Sequence, residues 1–169
     1  MRRRHWLATT SVAAGALAAG AWWRARGDDS AAEAPIWSAS FAQPGGGQLE
    51  MARLRGKPLI LNFWATWCEP CLREMPALDR FARDFAAKGW QVVGLAIDSQ
   101  AKVQEFLRRT PVSFPIAIGE TQGLSHARAL GNTQGGLPFT VVFGADGRIR
   151  ERRSGETRFE ELVAWTQKG

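Results

Sequence analysis

The chain reads as an α/β protein, a mixed sheet with helices on both faces. Three observations predict this. Residues 58–65, 90–97 and 139–143 are continuous apolar runs of strand length, as buried central strands are. Helical periodicity fills the stretches between them. Asp146-Gly147 then marks a hairpin turn, with a return strand and a closing helix behind it. The 169 residues suit one domain of ordinary size, and 45% hydrophobic with 22% charged residues is close to globular averages.

The elements follow in order. Residues 36–41 alternate as a short strand, residues 44–47 (Pro and three Gly) form a turn, and residues 48–54 return, giving an N-terminal β-hairpin. The first buried strand covers 58–65. A helix then runs to about Lys88, with Leu72, Met75, Leu78, Phe81, Ala82 and Phe85 at steps of three and four, and Gly89 ends it. A second buried strand spans 90–97. A helix over 101–109 stops before Pro111, a short strand covers 113–118, and a helix over 124–130 ends at Gly131. The third buried strand is 139–143, its return strand is 148–154, and an amphipathic helix over 156–167 closes the chain.

The formal charge of +6 suggests a polyanionic partner until it is located. Residues 1–26 hold five Arg (Arg2, Arg3, Arg4, Arg24, Arg26) and no acidic residue, while the rest carries 17 basic and 16 acidic residues. A basic stub before an apolar, Ala-rich run from Trp6 to Trp23 reads as an export signal or as an N-terminal membrane anchor. Both place the rest of the chain outside the cytoplasm, in the periplasm or cell envelope. Residues 27–35 read as a linker and 36–169 as the folded domain. No nucleic-acid partner is implied. Arg148, Arg150 and Arg152 fall on one face of the return strand, where charge protects a sheet edge.

Cys68 and Cys71 are the only cysteines, two residues apart where a buried strand gives way to a helix. Free N–H groups and the positive dipole end at that helix start favour thiolate at Cys68. Pro70 suits a first helical turn because its missing N–H has no partner to lose. Cys71, one turn on, is more sheltered and placed to resolve a mixed disulfide at Cys68. A zinc site lacks ligands, since His126 is the one further His or Cys outside the export segment. Haem attachment fails because residue 72 is Leu. A static structural disulfide is the plain alternative, but so small a loop at a helix start fits a labile, redox-active bond better.

Asn62-Phe63-Trp64-Ala65-Thr66-Trp67-Cys68-Glu69-Pro70-Cys71, with Leu72-Arg73-Glu74-Met75-Pro76, resembles the active-site region of the TlpA/ResA family of exported thioredoxin-like proteins. Gly136-Leu137-Pro138-Phe139-Thr140 and Asp146-Gly147-Arg148-Ile149 resemble that family's second signature, and residues 101–118 match its helix–strand insertion. The resemblance covers roughly residues 36–168. It implies a thioredoxin-like fold and thiol–disulfide exchange, with Cys68 the nucleophile and Cys71 the resolving thiol. It places a cis-proline at Pro138, so that the Leu137 backbone offers edge hydrogen bonds to an extended substrate. It also implies a disulfide-containing protein substrate, such as an apocytochrome c or a copper-site assembly protein, and a membrane thiol as electron donor.

Glu74 matches the family's acidic residue near the site, where a half-buried carboxylate exchanges protons with the thiols. A solvated surface Glu paired with Arg73 or Arg80 stays open on sequence alone. Asn62 stands where cytoplasmic thioredoxins carry a buried Asp, so no proton relay is expected from that position. Glu69 is expected to be exposed, Trp64 in the core, and Trp67 facing the partner. No cofactor or resident metal is implied, and a monomer is expected. The rival class is a Cu(I) metallochaperone holding the metal on Cys68 and Cys71, with His126 as a further ligand.

Overall fold

The computed structural model describes residues 35–167. The export or anchor segment and nearly all of the linker expected before the domain lie outside them. Among the described residues no helix is long and apolar enough to cross a membrane.

Seven strands form one sheet: β1 (Ser40–Ala42), β2 (Gln48–Glu50), β3 (Leu59–Trp64), β4 (Gln91–Ala96), β5 (Ile116–Ile118), β6 (Phe139–Phe143) and β7 (Ile149–Ser154). Their spatial order is β2-β1-β5-β4-β3-β6-β7. β3 pairs parallel with β4, and β4 with β5, while β6 lies antiparallel on the other side of β3. The N-terminal hairpin closes one edge through Ala42, opposite Ile118, and β7 closes the other. The helices are α1 (Glu69–Phe85), α2 (Gln100–Arg109), α3 (Glu120–Ala129) and α4 (Phe159–Trp165). This is the mixed, thioredoxin-like architecture, with the helix–strand insertion supplied by α2 and β5.

β3 is buried along its whole length, and apolar except at Asn62, because both its faces are covered. Ile60 and Trp64 join one core cluster with Cys71, Met75, Leu78 and Phe81 of α1, Val103 of α2, and Leu162 and Trp165 of α4. Leu59, Leu61 and Phe63 join the other with Phe41, Met51, Ala127 of α3, Leu130 and Phe143. Each such fully buried Leu or Phe contributes about 1.5–3 kcal/mol of transfer free energy. Gly94 of β4 is required by packing: a Cβ there would lie 2.6 Å from Ile116 and 3.0 Å from the Trp64 indole nitrogen. α1 ends as its spacing predicts, through a 3-10 turn at Ala86–Lys88 and Gly89 at φ 83°.

Several boundaries differ from the sequence expectation. Residues 35–37 are helical, and the first strand is only Ser40–Ala42, because Ile36 and Trp37 turn under the sheet. Residues 48–54 divide into β2 and a 3-10 turn at Met51–Leu54, which sinks Met51 into the same core. β5 covers only 116–118, since Pro115 has no N–H for the ladder and Asp79 holds Ser113 through its amide and hydroxyl. α3 starts earlier than predicted, at Glu120. α4 starts later, at Phe159, because residues 155–157 are committed elsewhere.

Candidate active site

Cys68 is the N-cap of α1, with extended backbone (φ −94°, ψ 98°), and its Sγ accepts a hydrogen bond from the Cys71 amide at 3.3 Å. Pro70 sits in the first helical turn. Cys68 and Cys71 form a disulfide, with Sγ atoms 2.08 Å and Cα atoms 5.3 Å apart. Cys68 is 5% exposed and Cys71 is fully buried, so an approaching group meets Cys68 first. Trp67, just before it, is 66% exposed, the one large hydrophobic so exposed among the described residues. Trp64 is buried in the core and tilted against Phe106. Glu69 is exposed and paired with Arg73.

Two loops frame the disulfide. The Leu137–Pro138 peptide bond is cis, Pro138 is buried, and Leu137 packs half-buried against the cluster that holds both cysteines. This loop is fastened at both ends: Asn132 Nδ2 donates to the Gly136 carbonyl at 2.8 Å, and the Gly155 amide donates to the Pro138 carbonyl at 2.9 Å. The loop before Cys68 is held by Asp98, which follows β4. Its Oδ2 accepts from the Thr66 hydroxyl at 2.5 Å and the Thr66 amide at 3.3 Å. Burial works to raise the Asp98 pKa, but the Thr66 hydroxyl, the Ser99 amide and Lys102 together hold it below the usual carboxylate range.

Behind the cysteines is a buried polar group. Glu74, one turn beyond Cys71, is 1% exposed. Its Oε1 accepts from Asn62 Nδ2 at 2.6 Å and its Oε2 from the Thr157 amide at 2.7 Å. Asn62 Nδ2 also donates to the Thr140 hydroxyl at 3.0 Å across the β3–β6 pair. Burial raises the Glu74 pKa from 4.5 to about 7; the bonds from Thr157 and Asn62 oppose that rise, and the charge of Glu156 adds to it. Asn62 Oδ1 and Thr157 Oγ1 are buried without a formed hydrogen bond, although the Thr157 hydroxyl lies near enough to favour the carboxylate slightly.

Of the two readings left open by the sequence, burial excludes a surface Glu74 paired with Arg73 or Arg80. Arg73 pairs instead with Glu69 and Glu156, and Arg80 pairs with Asp84 and covers the Phe159 ring. His126 is not beside the cysteines. It packs edge-on against Phe41, a residue of the core cluster on the opposite face of the sheet from Cys68 and Cys71, and burial lowers its pKa. A metal site combining it with the cysteines would have to span the sheet.

Sequence reasoning missed Thr66, Asp98, Asn132, Thr140, Glu156 and Thr157. A faint signal existed for Asn62 and Thr140, since each is a polar residue inside an otherwise apolar strand. The others are loop residues, and except for Asn132, which bonds Gly136 four residues on, their partners lie far away in the chain.

A thioredoxin-like sheet with a Cys-x-x-Cys disulfide capping its first long helix, beside a cis-proline loop, defines a thiol–disulfide oxidoreductase. The chain belongs to the AhpC/TSA family, which matches residues 31–152. It is 32% identical over 124 residues to the thiol-disulfide oxidoreductase ResA of Bacillus cereus, covering 73% of this chain and 69% of that one. With ResA of Halalkalibacterium halodurans it shares 31% identity over 170 residues, covering 96% and 94% of the two chains. Among solved structures, MTB dsbF in its mixed oxidized and reduced forms superposes with a TM-score of 0.67 at 26% identity, covering 78% of this chain and 95% of that one.

Proposed function

We propose that the chain is an exported disulfide reductase, with residues 1–26 as signal or membrane tether, 27–35 as linker and 36–169 as a monomeric catalytic domain. The observation that carries the reading is the Cys68–Cys71 couple at the start of α1, with Glu74 buried one turn behind it. In the reduced protein the Cys68 thiolate attacks one sulfur of a substrate disulfide. The departing substrate sulfur takes a proton from solvent, in place of the one Cys68 released on ionising, and a Cys68–substrate disulfide remains. Cys71 then loses its proton to ionised Glu74 and attacks Cys68 Sγ, closing the 68–71 disulfide; the second substrate sulfur leaves and is protonated by the proton Glu74 returns. The substrate gains two electrons and two protons, and a membrane thiol restores the dithiol.

A carboxyl titrating near 7 suits this work, because it both accepts and returns a proton at neutral pH. Trp67 and Leu137 supply the apolar contact for the partner, and the backbone at Leu137–Pro138 offers an edge for an extended segment. The basic leader supports export. The likeness of the active-site segment to the TlpA/ResA family supports apocytochrome c or a copper-site assembly protein as the partner.

Two measurements test this. Cys71→Ser should trap the exported partner as a mixed disulfide at Cys68, identifiable by mass spectrometry; no trapped species at all counts against the exchange mechanism. The reduction potential of the couple should be well below about −200 mV, and a value near the −120 mV of a strong protein oxidant overturns the reductase direction.

A further inference from the structure

Residues 155–157, between β7 and α4, touch three parts of the site at once. The Gly155 amide donates to the Pro138 carbonyl, and the Thr157 amide donates to Glu74 Oε2 at 2.7 Å. Glu156, between them, reaches α1, where its Oε2 accepts from Arg73 Nε at 2.9 Å. Arg73 Nη1 also donates to Glu69 Oε1 at 3.0 Å, so one guanidinium is shared between two carboxylates. With side chains 52% and 38% exposed, Arg73 and Glu156 make a weak staple at best. What the arrangement does is place a negative charge one residue from the amide that binds Glu74.

We propose that Glu156 and Arg73 are an opposed pair of positioning residues that set how tightly Glu74 holds its proton: Glu156 holds the proton on, and Arg73 eases it off by neutralising Glu156. The proposal rests on the reading of Glu74 as the group that handles protons for the thiols. A like charge nearby disfavours the ionised carboxylate, and Glu156 acts on Glu74 in that direction. The other groups around Glu74 leave this pair as the natural control. β3 and β6 contribute Asn62 and Thr140, which carry no charge. On the helix side Cys68 and Cys71 are joined and do not titrate. Arg153, Arg158, Glu160 and Glu161 line the open hollow beside Glu156 as two cations against two anions, with Arg153 paired to Glu161.

The test uses the full chain in its oxidised state, labelled with 13C at the glutamate carboxyls, with Glu74 assigned from the resonance lost in Glu74→Gln. Following that resonance against pH, Glu156→Gln should move its midpoint down by about 0.5 pH unit and Arg73→Gln should move it up by a similar amount. The double variant should match Glu156→Gln, because Arg73 has nothing to neutralise once Glu156 is gone, and 1 M salt should shrink both single shifts, since both charges face solvent. In the reduced protein, the pH midpoint of disulfide reduction should follow the same two directions. A bridge that only holds the loop in place predicts that both single variants move the midpoint the same way. That result, or no movement in either, overturns the proposal. If no resonance lost in Glu74→Gln titrates near neutrality in the parent, the reading of Glu74 itself fails and the proposal falls with it.

Discussion

The two faces of the central sheet are built on different chemistry. Toward α1, β3 and β6 place Asn62 and Thr140 side by side, and Glu74 and Thr157 complete a buried polar group behind the disulfide. Toward the opposite face the same two strands present only Leu59, Leu61, Phe63, Phe139, Val141 and Phe143. A polar group buried without full partners costs stability, and Asn62 Oδ1 and Thr157 Oγ1 are such groups. The apolar face offsets that cost with close-packed side chains. One face of these two strands is thus wholly apolar, while the other sets the polar pair Asn62 and Thr140 among the apolar Ile60, Trp64 and Val142, the two sets alternating residue by residue.

The comparison is broken most severely from the apolar side. Phe143→Ala removes a fully buried ring that meets Trp37 edge-on at 4.9 Å, and should cost about 3–5 kcal/mol in urea unfolding. Disulfide reduction per folded molecule should stay unchanged. A loss of activity beyond the loss of folded protein would show that the two faces are not separate.

The polar face is tested by pH. The Glu74 pKa is raised in the folded chain, so its contribution to stability is complete below about 4.5 and is lost as pH rises through about 7. At about 1.4 kcal/mol per pH unit, oxidised protein should lose about 3 kcal/mol from Glu74 across that window. His126, lowered by burial, titrates in the opposite sense nearby, so the quantity to measure is the difference between the parent and Glu74→Gln in denaturant melts at each pH. A difference that stays flat from pH 4 to 8 contradicts the perturbed carboxyl.

The smallest effect on stability belongs to Trp67. Exposed as it is, Trp67→Ala should change unfolding by no more than about 0.5 kcal/mol. It should raise KM for a protein disulfide about tenfold. A destabilisation above 1 kcal/mol would move Trp67 from the partner surface into the core.

Much of the fold was legible because its signals are local. The runs at 58–65, 90–97 and 139–143 became β3, β4 and β6, since a strand covered on both faces is nearly all apolar. The period of α1 and its glycine stop were equally plain. The ends of β1, β5 and α4 were not, because they are set by contacts elsewhere: the burial of Ile36 and Trp37, the hold of Asp79 on Ser113, and the engagement of residues 155–157 with Pro138, Arg73 and Glu74. For the site, the Cys68–Cys71 pair and its place at a helix start could be read directly. The surroundings of Glu74 could not, with a surface ion pair and a buried proton group equally consistent with its neighbours in sequence.

The sequence by itself determined the redox couple and its setting: two cysteines at a spacing that closes on itself, at a strand-to-helix junction, with Pro70 suited to the first turn. These follow from residue type and short-range geometry. The tertiary structure alone decided that Glu74 lies in the interior, that its amide partner comes from a residue 83 positions away, and that His126 lies across the sheet from the cysteines. The reason is physical. A carboxyl's proton affinity depends on the water removed around it and on the charges left near it, and both are set by which distant segments pack together.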